Sequence, residues 1–146
     1  MKLHIVWIGK TKQPAIQSLT AEYLERLNGF TQVDALSLAS EAALLRNLEK
    51  KAPRAPSLVL LDIAGRQLTS EELAKFIDDH QNRSPQPLLF AIGPADGFSE
   101  QARSKASLVL SLSKMTLPHE LARVVMLEQL YRAYSILKGH PYHLGH

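Results

Sequence analysis

The sequence predicts an α/β domain with a mostly parallel sheet and helices on both faces. Strand-like and helix-like segments alternate along the whole chain, as βαβ units do. Two segments, "SLVLLDIAG" and "PLLFAIG", are almost continuously apolar, as strands covered on both faces must be. Cap and turn residues separate the segments at short intervals.

The first strand is "LHIVWIG", ending at Gly9. After Pro14, the residues Ile16, Leu19, Tyr23, Leu24 and Leu27 recur at helical spacing, and Asn28-Gly29 stops that helix. "FTQVDALSL" reads as a weaker strand, and Ser40 opens a helix through Leu44, Leu45 and Leu48. The "SLVLLDIAG" strand follows. Thr69 and Glu72 then have the spacing of a capping box, starting a helix that carries Leu73, Phe76 and Ile77. "PLLFAIG" leads through the turn "PADG" to a short helix from Ser99, and "SLVLSLS" is the last strand. One long helix runs from Pro118, which suits a first helical turn, to about Lys138.

A length of 146 residues fits a single domain, 1–146, with room for one core. The absence of cysteine excludes disulfides and thiolate metal sites and predicts a reducing, cytoplasmic compartment. The apolar run near the N-terminus is too short to span a membrane, so no membrane partner is expected. The formal charge of +3 permits an RNA partner without demanding one. Lys10 and Lys12 follow the first strand, and Lys50, Lys51 and Arg54 cluster in "EKKAPR", as solvated helix ends often do.

Ligands of open parallel sheets sit beyond the C-terminal strand ends. That rule nominates three loops: residues 61–65, residues 92–97 and residues 112–117. None carries a dinucleotide or P-loop fingerprint, which disfavours a generic nucleotide-binding enzyme. In the long helix, apolar residues from Leu121 to Leu137 cover far more than one stripe, predicting that it packs on the sheet and on a second copy of the chain. Glu128, Arg132 and Ser135 form a polar line on it, read either as an ion pair or as buried functional groups. His140, His143 and His146 have metal-ligand chemistry, but Pro141 blocks helical geometry and no carboxylate completes the set, so no metal is expected.

Taken in order, "LLDIAG", "IGPADG", "LSKMTLPHELAR", "LYRAYSI" and "HPYH" resemble the RlmH family of SPOUT-class (α/β-knot) methyltransferases. The resemblance covers essentially all residues. It implies a C-terminal trefoil knot, a homodimer, and S-adenosylmethionine as methyl donor to N3 of a pseudouridine in 23S ribosomal RNA within the ribosome. Carried over by position, cofactor contacts fall on Leu61, Gly93, Leu112, Ser113, Lys114, Met115, Thr116 and Leu117. Arg132, Tyr142 and His143 are implied to face the target base at the dimer interface. If tails are exchanged between subunits, the tail of one chain should meet Arg132 of the other. Two departures stand out: Pro94 replaces a second glycine, and Leu144-Gly145-His146 lacks the basic residue that usually follows "HPYH". They motivate an alternative, a ribosome- or RNA-binding dimer without transfer activity.

Overall fold

A computed structural model describes residues 2–94 and 96–144. The strands are β1 (Lys2–Ile8), β2 (Gln32–Leu38), β3 (Ser57–Gln67), β4 (Leu88–Ile92) and β5 (Leu108–Ser111). The helices are α1 (Pro14–Asn28), α2 (Glu41–Lys51), α3 (Ser70–Arg83), α4 (Glu100–Lys105) and α5 (His119–Leu137), followed by a 3-10 turn at Pro141–Leu144. The strands form one five-stranded sheet in the order β2-β1-β4-β3-β5. Every pairing is parallel, as expected.

Side-chain alternation divides the core into two layers. Leu3, Ile5 and Trp7 of β1 and Leu88, Phe90 and Ile92 of β4 face α1, α3 and α5. Val6, Ile8, Leu89 and Ala91 face α2 and the short α4. The predicted caps are present: the Ser40 side chain accepts from the Ala43 N–H, and Thr69 with Glu72 forms a complete capping box.

Three boundaries differ from the sequence expectation. β3 runs on to Gln67, because its register against β5 shifts between Leu61 and Arg66 and a second stretch of pairing follows. Gly65 makes this possible, since a Cβ there would lie 2.6 Å from the Val109 carbonyl oxygen. β5 stops at Ser111 rather than Ser113, where the Ser111 hydroxyl turns to the Ser113 carbonyl. Pro118 is the N-cap of α5, with φ of −54° and ψ of 139°, not its first helical residue.

Helix α5 also departs from the simplest reading of its apolar pattern. It packs between α1 and α3, so Val124, Met126, Leu127, Leu130, Ala133 and Tyr134 are buried within one protomer. Leu121 stays 41% exposed and Val125 half-buried. Flanking helices therefore account for much of the breadth that sequence alone assigns to a partner.

Candidate functional site

The three loops nominated by architecture converge on one cleft of about 310 Å³ at the C-terminal edge of the sheet. Leu61, Gly93, Leu112, Ser113, Met115, Thr116 and Leu117 all line it. Lys114 does not; its side chain is exposed. Ile63 and Met115 form an apolar lip, 57% and 77% exposed. The loop after β5 is shaped by its own residues, with the Met115 N–H donating to the Ser113 hydroxyl at 2.9 Å. At the far wall, His119 and Ala122 belong to the first turn of α5, whose N-terminus has no side-chain cap.

Asp62 is the organising residue that the sequence reading missed. Its buried carboxylate accepts from the Ala64 N–H at 2.9 Å and the Phe98 N–H at 3.3 Å. Arg103 of α4 donates to it at 3.4 Å. One side chain thus ties the bulge of β3 to the loop after β4 and to α4. The signal was available, since Asp62 is a lone acidic residue inside the apolar run "LVLLDIAG".

Gly93 and Gly97 serve the same loop differently. A Cβ at Gly93 would come within 2.7 Å of the buried Phe98 ring, so the glycine leaves room for this chain's own aromatic residue. Gly97 closes the predicted turn, with φ of +81° and its N–H on the Pro94 carbonyl at 3.0 Å. Pro94 therefore contributes to this turn through its oxygen, and its missing N–H is not used there. Ala95 within "IGPADG" lies outside the described residues.

Arg132, Tyr142 and His143 form a second cluster. Arg132 donates to Glu128 at 2.6 Å and 3.1 Å, and this carboxylate holds its guanidinium above its ordinary pKa. It also lies over the Tyr142 ring at 5.1 Å and donates to the His143 carbonyl at 3.4 Å. The Tyr142 hydroxyl donates to Glu128 at 3.0 Å, and its ring packs edge-on against Tyr131. Burial, then Tyr23 and Glu128, push that hydroxyl above its ordinary pKa, so it stays protonated near neutrality. His143 Nδ1 lies 2.7 Å from the His140 carbonyl. A carbonyl can only accept, so Nδ1 carries the hydrogen and Nε2 of a neutral imidazole is the basic nitrogen.

Two sequence expectations change here. Ser135 does not share the polar line, because it is fully buried and donates to the Tyr131 carbonyl. The tail meets Arg132 of its own chain. Gly145 and His146 lie outside the described residues, and among the described residues no group of three potential ligands could hold a metal ion. The two clusters do not meet within one protomer: Arg132 is ten residues along α5 from the cleft-lining Ala122, about 15 Å at 1.5 Å per residue.

Residues 1–143 match a family model described as "Predicted SPOUT methyltransferase". The chain is 56% identical over 146 residues to the ribosomal RNA large subunit methyltransferase H of Koribacter versatilis (strain Ellin345), covering 100% of both chains. A probable methylase family protein from Haemophilus influenzae Rd KW20 has a similar structure, with a TM-score of 0.62 at 12% identity over 96% of this chain and 69% of that one. The SpoU methyltransferase AviRb of Streptomyces viridochromogenes, solved in complex with the cofactor AdoMet, aligns with a TM-score of 0.52 at 17% identity. That alignment covers 88% of this chain and 56% of AviRb, so this chain spans little more than half of it. Both structural likenesses are likenesses of fold.

Proposed function

Because the chain belongs to the SPOUT methyltransferase family, we propose that it methylates N3 of a pseudouridine in 23S ribosomal RNA, using S-adenosylmethionine as donor. The observation that carries this reading is the convergence of three separate strand-end loops on one cleft. The cleft fits the cofactor. Leu61, Ile92, Leu112 and Leu117 offer an apolar wall, while peptide groups of Gly93 and residues 112–117 offer hydrogen bonds. Compartment follows from the substrate: ribosomes place the enzyme in the cytoplasm, and among the described residues no helix is long and apolar enough to cross a membrane.

The path of the chain supports a trefoil knot. From the edge strand β5 the chain recrosses the ends of β3 and β4, and Arg123 of α5 donates to the Ile8 carbonyl of β1 at 2.8 Å. A homodimer is supported by one stripe of α5. Leu121, Val125, Glu128 and Arg132 lie at i, i+4, i+7 and i+11, hence on one side of the helix, and none is fully buried within the protomer. A two-fold contact along this stripe sets position 121 of one chain near position 132 of the other. Arg132 and the tail of each subunit then reach the partner's cleft. Val125→Asp should give a folded, inactive monomer by light scattering; a wild-type monomer at micromolar concentration would overturn the dimer. Tyr134 is buried in the protomer's own core, so substitution there reports on folding instead.

S-adenosylmethionine, when bound, supplies a methyl group already activated on its sulfonium. The protein's work is to align the acceptor nitrogen and to manage its proton. In this reading His143 Nε2, the basic nitrogen when Nδ1 donates to the His140 carbonyl, accepts the N3 proton, and the Arg132 cation stabilises the negative charge that develops on the base. Tyr142, committed to Glu128 and Tyr131, holds the tail in place.

Incubating the protein with ribosomes and labelled donor, followed by nucleoside mass spectrometry, tests the reading. A methylated pseudouridine is expected. Donor binding without transfer would favour the non-catalytic binder instead. For the cleft itself, Gly93→Val should abolish donor binding in calorimetry while the fold persists. Gly93→Ala should weaken binding, and adding Phe98→Leu should restore part of it, because the obstacle is the Phe98 ring.

A further inference from the structure

We infer that the loop after β1 is an RNA-backbone grip, with Lys10 and Lys12 contacting phosphates beside the cofactor cleft; this rests on the methyltransferase reading above. Trp7 pairs with Ile92, so Ile8 and Gly93 leave the sheet side by side, about 5 Å apart in adjacent strands. Beyond Gly9, whose N–H still pairs with the Leu38 carbonyl of β2, the loop with the two lysines is tied through Glu120 to the first turn of α5, next to the cleft-lining His119. Both are exposed, and among the described residues neither ammonium takes part in an ion pair.

The loop that carries them is anchored from below by two buried charges. Glu120 accepts from the backbone N–H groups of Lys12 at 3.1 Å and Gln13 at 3.0 Å. Both N–H groups share one carboxylate oxygen, Oε1, so Glu120 holds the peptide chain of the loop rather than its lysine side chains. Arg123, fully buried, donates to the Thr11 hydroxyl and the Ile8 carbonyl, both at 2.8 Å. The Arg123 charge is offset by Glu120 and by the Trp7 ring at 5.8 Å, while its Nε stays unpaired. Both anchors lie in the first turns of α5, where His119 and Ala122 line the cleft. One helical segment thus fixes the donor site and the lysine loop relative to each other. Glu120 and Arg123 are positioning residues in this scheme. The alternative basic cluster, Lys50 and Lys51, closes α2, which precedes β3 and so ends at the opposite edge of the sheet from the cleft.

The test is ribosome binding and methyl transfer by full-length Lys10→Gln/Lys12→Gln beside wild type and a Lys50→Gln/Lys51→Gln control. The lysine-loop variant should raise the ribosome KM about tenfold and lower the slope of log affinity against log salt by about 2, one per lost phosphate contact. Its kcat and its donor affinity should stay within twofold, and the control should match wild type. Arg123→Lys, which keeps the charge but loses the forked contact, should raise the ribosome KM without changing kcat. If wild type methylates ribosomes and the loop variant keeps its KM and salt slope, or the control loses as much, the grip is refuted while the methyltransferase reading stands. If wild type transfers no methyl group to ribosomes, both fall together.

Discussion

Gly65→Ala is expected to destabilise the protein by about 3 kcal/mol, a loss of about 10 °C in melting temperature, and to weaken donor binding in parallel. The added methyl would approach the Val109 carbonyl oxygen to 2.6 Å and the Leu110 carbonyl carbon to 2.8 Å. Both are backbone atoms of β5, so no rotamer change relieves the contact. β5 or the second half of β3 must move, and with it the pairing of Arg66 with Leu110 and Gln67 with Ser111. Ser111 and Leu112 begin the loop that lines the cleft, which is why a packing fault between β3 and β5 should reach the donor. Gly139→Ala is the matched control, because its Cβ would meet nothing within 4 Å, although its φ of +70° carries some strain of its own. A Gly65→Ala protein that melts within 2 °C of wild type, by the same conversion about 0.6 kcal/mol, would show that β3 and β5 can separate freely there.

Most of the fold was legible because local and long-range signals agree. The Ser40 cap, the Thr69 capping box and the two almost continuous apolar runs each reappear as the element they predict. The cleft was legible for a different reason: parallel strands deliver their following loops to one edge, so the rim follows from topology. What remained hidden depends on contacts between distant segments. Periodicity cannot show that β3 resumes pairing after a bulge, or that the breadth of α5 is absorbed by α1 and α3. Nor can it show that Glu120 and Arg123, ordinary members of a helical pattern, hold a loop more than a hundred residues earlier. Asp62 had a visible signal, a charge in an apolar strand, but its partners come from Phe98 and Arg103 and only folding joins them.

Mixing two inactive chains should restore activity, but only in one of two combinations. If tails were exchanged between subunits, an Arg132→Ala chain would complement a chain lacking its tail. The structure points the other way, because Arg132 holds the His143 carbonyl and the Tyr142 ring of its own chain. In the proposed dimer Arg132 and the tail travel together to the partner's cleft, so each mixed dimer of that pair has one cluster without arginine and one without tail. No recovery is expected. A Gly93→Val chain mixed with a His143→Ala chain behaves differently. The cleft of the second chain is intact, and the cluster of the first is intact, so one complete site forms in each mixed dimer. Random exchange makes half of the dimers mixed, giving about a quarter of wild-type transfer, against losses of orders of magnitude in either parent. His143→Ala is preferred to tail removal, because it spares the Tyr142 anchor; deleting the tail also strips the packing on Tyr131, worth about 1 kcal/mol. Recovery in the Arg132→Ala and tail-deleted mixture would mean that the tail leaves its own helix in the dimer. Failure of the Gly93→Val and His143→Ala mixture, with exchange verified by mass spectrometry, would overturn the cross-subunit site.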